Sequence, residues 1–452
     1  MIKLSLSQAC AMLGIPALDT ELEFFGVSND TRALQAGNLY IAIKGANFDG
    51  HAYLSQAKAA GAVAAVVSEP VDCDFPQLCV PDTTLAMGQL AQYWREKFTL
   101  PIVGITGSCG KTTTTRMMSA ILSQCGSTLF PEGNKNNQWG VPQTLFKLQA
   151  EHEFAVIEMG ADRGGEIRYL TGIVQPDVAI LTNVAPVHIE VSDGVGFGSL
   201  EGVFNEKSQI FRGLPATGTA IVCADEAYFS RWQTLLADSK YLSFGYADTA
   251  DVCAKNLRVN AQLQYQFELC TPAGNVEVQL SSLGRHNVVN ALAASAAALA
   301  LGVDLPTIAA GLANVPTASR RMIKHSTPEG ATLIDDSYNS NLKSAKAVID
   351  MLADHPGPSI AVLGDMKEIG AQSAEFHREV GAYAKLKQID HLFAFGEESI
   401  AMAQGFGDNA QHYLDVEPIA QAIKPLLSHD TLLVVKGSLS TGMDRIVNRL
   451  LK

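Results

Sequence analysis

Short apolar runs alternate along the chain with longer segments whose apolar residues fall three or four positions apart. "NLYIAIKG" and "AVAAVVS" read as strands within residues 1–81. The helical pattern "TLAMGQLAQYWREKF" then leads into the strand "PIVGIT", followed by "FAVIEMG", "DVAILTNV" and "TAIVCAD" with helical stretches among the connections. That alternation predicts a doubly wound, mostly parallel sheet. "LRVNAQLQYQFELCTPAGNVEVQL" reads as an antiparallel excursion with Pro-Ala-Gly-Asn as its turn. "NALAASAAALALG" is too short to span a bilayer and reads as a buried helix. From about Val315 a new set begins, "ATLIDD", "SIAVLGD", "HLFAFG" and "TLLVVKG". The expected fold class is α/β in three domains. These are a small α/β N-terminal domain (1–81), a central mostly parallel sheet domain (82–314) and a C-terminal Rossmann-like domain (315–452).

Length agrees, since 452 residues are too many for one ordinary core. Hydrophobic residues at 47% and charged residues at 17% suit a packed enzyme rather than a disordered chain. A formal net charge of −13 argues against nucleic acid or an anionic membrane as the main partner. The eight cysteines form no C-x-x-C pair, so neither a zinc site nor a disulfide framework is expected. A reducing cytoplasm fits that usage. The N-terminus "MIKLSLSQACAMLGI" is too weakly apolar for a signal peptide, and no membrane insertion is expected.

The candidate chemistry begins at "GITGSCGKTTTT", residues 104–115. A strict P-loop has Gly six residues before its Lys; that place is Ile105 here, and Gly104 comes one residue early. The remainder fits a phosphate cradle, with Gly107, Gly110, Lys111 and Thr112 between a strand and a helix start. Glycines let amides curl around an anion, and the helix N-terminus adds positive potential. Lys111 has the reach to contact β and γ phosphates, and Thr112 the hydroxyl to ligate Mg²⁺. The plain alternative is a glycine turn that opens a helix. Glu158 ends the next strand, and Asn183 and His188 follow a third. Ligands gather at the carboxyl ends of strands in open α/β sheets, which makes Glu158 and His188 candidate Mg²⁺ residues. Alone they would read as a helix cap and a satisfied loop histidine. In "SLEGVFNEKSQIFRGL", Leu200, Val203, Phe204, Ile210, Phe211 and Leu214 form one helical apolar face that includes Lys207. A lysine there either snorkels to the edge or has chemistry of its own.

These motifs, with "GNKNNQWGVP", "EMGADRGGEI", "NVAPVH", "NEKSQIF", "GRHNVVNALAA", "DDSYNSN" and "LGDMKEIG" in that order, resemble the Mur ligases, ATP-dependent amide-forming enzymes of bacterial peptidoglycan synthesis. The resemblance covers nearly the whole chain. "EMGADRGGEI", "DDSYNSN" and "LGDMKEIG" are similar to members that add D-alanyl-D-alanine to UDP-N-acetylmuramoyl-tripeptide, and the D-N-P-R signature of the preceding ligase is absent. The family's loop is G-x-T-G-x-x-G-K-[ST], which accounts for the departure from the strict P-loop.

The resemblance implies a P-loop-type ATPase as the central domain, with ATP phosphates on Gly107, Ser108, Cys109, Gly110, Lys111, Thr112 and Thr113. It implies catalytic roles for Lys111, Glu158, His188 and Lys207, and Mg²⁺ on Thr112, Glu158, His188 and Lys207. It further implies that Lys207 is carbamylated by CO₂. Asn287 and Asn290 would contact adenosine beside His286, and Asp336 and Asn339 would reach ATP from the third domain. "ASRR" stands where P-G-R is usual, leaving Arg320 or Arg321 as the nucleotide arginine; the distance to "DDSYN" favours Arg321. "SNDTR" and "DGHAY" resemble the UDP end, with Ser28, Thr31, Arg32, Asp49 and His51 as contacts. The implied partners are UDP-N-acetylmuramoyl-tripeptide and D-alanyl-D-alanine, with the chain a monomer. Two departures stand out. "KGSLS" has Leu439 where arginine is common, and "HIEVSDGVGFGSL" is longer than the usual link from His188 to the Lys207 helix. The rival readings are another amide ligase, of the folylpolyglutamate or cyanophycin type, and a non-catalytic nucleotide-binding regulator. The N-terminal UDP-type block and "LGDMKEIG" speak against the first. Retention of Lys111, Thr112, Glu158, His188 and Lys207 speaks against the second.

Overall fold

The computed structural model describes residues 1–45, 48–191, 194–260, 262–317 and 319–452. Ala318 of "ASRR" and Ser192 and Asp193 of the longer loop lie outside them. Three principal sheets follow one another in the chain, as the alternation of apolar runs predicts.

The first sheet is parallel and has four strands, Val27–Ser28, Leu39–Ile41, Ala64–Val67 and Gln77–Cys79, side by side in that order. The extreme N-terminus instead pairs Lys3–Ser5 antiparallel with Glu23–Phe25. It is also tied to the central part of the chain by Ile2 N donating to Phe146 O at 2.8 Å. One apolar core therefore runs from Ile2, Leu6 and Phe24 through Leu39 and Ile41 to Met87, Ile102 and Ile157.

The central sheet has nine strands. Seven are parallel, with Ile102–Thr106 between Val178–Leu181 and Phe154–Glu158. The seventh of these, Val252–Val259, opens the antiparallel excursion at the far edge, which Gln264–Thr271 and Gly274–Leu283 complete. Its turn is tighter than expected. Thr271 already faces Gly274, so Pro272 and Ala273 alone make the bend and Gly274 begins the strand. The helices Lys111–Leu122 and His286–Ala300 cover one face of the sheet. The second is the alanine-rich run, and its small side chains let it lie close to the first, with Ala291, Ala294 and Ala298 fully buried.

The helix Leu305–Ala313 packs on Lys111–Leu122 through Gly311, where a Cβ would lie 2.5 Å from Ile121 Cα. Alanine is the better helix former by about 1 kcal/mol. Gly311→Ala should nevertheless destabilise the chain by about 1–3 kcal/mol, because backbone cannot give way to the methyl. Urea unfolding checks this; an unchanged or higher midpoint would show that the helices part without cost.

The third sheet has six strands, ordered Ile323–Ser326, Thr332–Asp336, Leu432–Lys436, Ser359–Gly364, His391–Phe395 and Ala410–Tyr413. All pairings but the first are parallel. The four apolar runs read from the sequence are its centre. The edge strands "IKHS" and "AQHY" escaped notice because half-exposed edges need no apolar run. The Lys207 segment also departs from expectation. The α-helix Leu200–Lys207 tightens into a 3-10 helix over Ser208–Gly213, and Leu200 is 37% exposed. Val203, Phe204, Ile210 and Phe211 remain buried around Lys207. No helix among the described residues is long and apolar enough to cross a membrane.

Candidate functional site

The strand Ile102–Thr106 stops at Gly107, whose φ of 147° and missing side chain let the chain turn. A Cβ there would collide with the Thr182 hydroxyl. Gly110, at φ 80°, takes the N-cap position of Lys111–Leu122, and a Cβ on it would collide with the Asn290 amide. No side chain caps this helix, so its first-turn amides face an incoming anion. The loop is braced from the neighbouring strand. Asn183 Oδ1 accepts from Cys109 N at 3.0 Å, Asn183 Nδ2 donates to Cys109 O at 3.0 Å, and Ser108 Oγ donates to Ala185 O at 3.1 Å.

Two cavities meet at this loop. The larger, about 770 Å³, is walled by Gly107, Ser108, Cys109, Gly110, Lys111, Thr112, Glu158, His188 and Lys207, with Arg321, Asp336 and Asn339 opposite from the third domain. The second, about 610 Å³, shares Cys109, Gly110, Arg321 and Asp336 and adds Thr113, His286, Asn287 and Asn290. The five expected UDP contacts line neither cavity.

Lys111 Nζ donates back to Gly107 O at 2.7 Å and Ser108 O at 3.3 Å. Burial lowers the pKa of this amine, against the pull of Glu158. Glu158 is 2% exposed, and its Oε1 accepts from Thr112 Oγ1 at 3.2 Å and Asn136 Nδ2 at 2.8 Å. A buried carboxylate beside a hydroxyl at a phosphate loop is an oxygen donor set of the kind Mg²⁺ takes. Among the described residues no group of three His, Cys, Asp or Glu side chains is placed to hold a metal ion.

Lys207 is 1% exposed. Its Nζ donates to Ala161 O at 3.1 Å and stands 5.2 Å from the Phe197 ring centroid. Burial first, then the charge of Lys111, pushes this amine down to about 7. The residue before it is also buried: Glu206 accepts from Gly165 N and Ile167 N, both at 2.7 Å, at the start of the helix Glu166–Val174. His188 pairs with Glu368 of the third domain, Nδ1 to Oε2, at 2.7 Å. That hydrogen bond holds the Glu368 carboxyl below its ordinary range.

In the second cavity Asn287 Nδ2 donates to Leu283 O at 2.6 Å, and Asn290 Nδ2 to Asn287 Oδ1 at 2.8 Å. His286 Nδ1 is buried without a partner among the described residues, and burial drives its imidazole down to about 4. An orphaned nitrogen there suits a ligand hydrogen bond. The two arginines separate by backbone. Arg320 sits at φ 56° and pairs with Asp444 at 2.9 Å, whereas Arg321 stacks on Tyr338 at 4.1 Å and lines both cavities. Asp336 is held by Lys436 Nζ at 2.6 Å, and the same ammonium donates to Asn339 O at 2.7 Å.

On the N-terminal sheet Arg32 is bidentate to Asp30, at 2.9 and 2.8 Å. Ser28 Oγ donates to Asp30 O at 3.0 Å, and Thr31 stands half-buried between Asp30 and Arg32. His51 is buried with both ring nitrogens in use: Nδ1 lies 2.6 Å from Asp49, and Nε2 accepts from Ser68 N at 2.9 Å. Asn136, Lys436 and Glu368 were not singled out from the sequence, and Asn183 was named there only for its place at the end of a strand. The signal for three of them was present in "GNKNNQWGVP", "LTNVAPVH" and "LGDMKEIG", whose polar residues had no assigned partners.

Comparison with known proteins follows this layout. The Mur ligase middle domain matches residues 105–298, the Mur ligase glutamate ligase domain 320–439, and the Mur ligase family catalytic domain 23–94. The UDP-N-acetylmuramoyl-tripeptide–D-alanyl-D-alanine ligase of Escherichia coli K12 is 41% identical, over 100% of this chain and 99% of its own. The Haemophilus influenzae enzyme of the same name is 38% identical over 99% and 98%. Among solved structures, MurF from Acinetobacter baumannii superposes with a TM-score of 0.93 at 33% identity, covering 100% of this chain and 99% of that one. MurF of Thermotoga maritima in complex with ADP gives 0.83 at 26%, over 94% and 96%. With family models on all three parts of the chain and relatives matched end to end, the chain belongs to the Mur ligase family.

Proposed function

We propose that this protein is the ATP-dependent ligase that joins D-alanyl-D-alanine to UDP-N-acetylmuramoyl-tripeptide in peptidoglycan precursor synthesis. The observation that carries the reading is the shared wall of one cavity, which combines a phosphate loop, a buried carboxylate–hydroxyl pair and a buried lysine with residues of the third domain. Relatives named for this reaction match the chain over its full length.

A carboxylate resists attack by an amine because its leaving group is poor. Transfer of the ATP γ-phosphoryl group to the tripeptide's terminal carboxylate removes that obstacle, giving an acyl phosphate and ADP. The D-alanyl-D-alanine amine then attacks, and phosphate departs. The transfer is mainly positioning and charge neutralisation. Amides at Gly107–Thr113 and the Lys111 ammonium would hold the phosphates, and Thr112 and Glu158, with His188 and Lys207, would hold Mg²⁺. Mg²⁺ supplies charge neutralisation on the phosphate oxygens. Asn287, Asn290 and the orphaned His286 nitrogen suit the nucleoside, with Arg321, Asp336 and Asn339 closing over it. Lys207 serves as a carboxylate after taking up CO₂, which reconciles a buried lysine with a site for cations. Water must be kept from the acyl phosphate, and a cleft walled by two domains suits that need.

Phosphate release tests the reading directly. It should require ATP, UDP-N-acetylmuramoyl-tripeptide and D-alanyl-D-alanine together and fall to background when either acceptor is omitted. Turnover with folate and glutamate instead would overturn it.

A further inference from the structure

The longer loop after His188 and the third domain's "MKEIG" meet across the cleft, and the reaction described above uses neither of them. His188 and Glu368, joined at 2.7 Å, are both non-glycine residues in the left-handed region, at φ 50° and 66°. Such backbone persists only where surroundings impose it. The loop supplies them on one side. Phe197 N donates to His188 O at 2.7 Å, and the Phe197 ring stands edge-on to the imidazole at 6.1 Å. The same ring faces the Lys207 ammonium. On the other side Gly370, at φ 66°, comes so near Glu190 that a Cβ would lie 2.9 Å from Glu190 Cβ. Glu190 of the loop thus lies against the third domain at Gly370, and Glu368 makes a polar contact to His188 beside it.

A neutral imidazole that donates its Nδ1–H to a carboxylate carries its lone pair on Nε2, the form a metal takes. Such a carboxylate fixes both the tautomer and the ring's direction. We infer that Glu368 is a positioning residue of the metal site, and that docking of the third domain on the loop completes that site by orienting His188. The inference rests on the reading of His188 as a metal ligand. It makes divalent-ion affinity and domain closure reciprocal, since each must favour the other by the same factor. The competing explanation is an exposed ion pair with no effect on the metal.

Mn²⁺ serves as the probe, titrated by electron paramagnetic resonance into the full chain with UDP-N-acetylmuramoyl-tripeptide and a non-hydrolysable ATP analogue. Small-angle scattering follows closure in the same samples. Glu368→Ala should raise the half-saturating Mn²⁺ concentration about 10–100-fold, the usual effect of losing such a partner. It should also shift compaction to correspondingly higher Mn²⁺. Glu368→Gln keeps an acceptor for the Nδ1 proton and should shift the titration by less than about tenfold. Glu368 is exposed, so the fold should be unaffected. His188→Ala separates the two levels. If it weakens Mn²⁺ binding while the Glu368→Ala titration overlays that of the parent, the positioning role is wrong and the ligand reading stands. If His188→Ala also leaves Mn²⁺ binding unchanged, both fall.

Discussion

Lys111→Ala should lower ligase turnover by about a thousandfold or more while leaving the thermal melt unchanged. The ammonium lies at the phosphate-loop motif, and among the described residues its hydrogen bonds are to Gly107 O and Ser108 O of its own loop. Burial already disfavours its charged form, so an arriving phosphate would meet a cation with little competing solvation. Removing it should leave the loop amides to bind nucleotide but take away the charge that follows the transferring phosphoryl group. Asn183 and Ser108 brace the loop without help from Lys111, which is why the fold should survive. Phosphate release together with circular dichroism checks both halves; near-normal turnover would sink the assignment.

Lys207→Ala should be nearly inactive, with partial recovery in acetate, and Lys207→Arg should not recover. The physical reason lies in the amine's surroundings. At 1% exposure, with its pKa held at about 7, the side chain is largely the free amine just above neutrality, the form that attacks CO₂. The product is an anion that a cation site can neutralise, whereas arginine keeps a positive charge that repels Mg²⁺. The pH dependence has a definite sign. Below about 7 the unmodified amine is protonated, so both carbamate and activity should decline there, and more steeply when CO₂ is depleted. The destabilisation from burying the ammonium is also complete below that pH and fades as pH rises towards lysine's ordinary value. ¹³C NMR after ¹³CO₂ labelling is the direct measurement. Full activity of CO₂-depleted enzyme with an unlabelled Lys207 would end the idea.

The local elements were legible because neighbouring residues alone create them. A strand, two glycines, a lysine and a helix start lie within ten residues of one another, so the motif for a phosphate cradle is readable from a single short stretch. Apolar runs marked the centres of the second and third sheets, since strands covered on both faces have no polar alternation. Val203, Phe204, Ile210 and Phe211 put Lys207 on an apolar face, and the structure buries it even though the α-helix stops at Lys207 itself. The edge strands Ile323–Ser326 and Ala410–Tyr413 were missed because partial exposure erases the pattern.

The sequence by itself determined the order of the three sheets and the strand–glycine–lysine–helix order of the loop, and it placed Lys207 on an apolar face without deciding whether it reached the edge, all consequences of periodicity and adjacency. Tertiary structure decided the partners. Adjacent arginines took opposite directions because a left-handed backbone at Arg320 sends it to Asp444 and leaves Arg321 facing the cavities. His51, marked as a contact by its motif, proved to have both nitrogens occupied by Asp49 and Ser68. Asn183 on the phosphate loop, Lys436 on Asp336 and Glu368 on His188 join positions 74, 100 and 180 residues apart. Such contacts are set by strand register and domain docking, which depend on the packing of whole faces rather than on any stretch of chain.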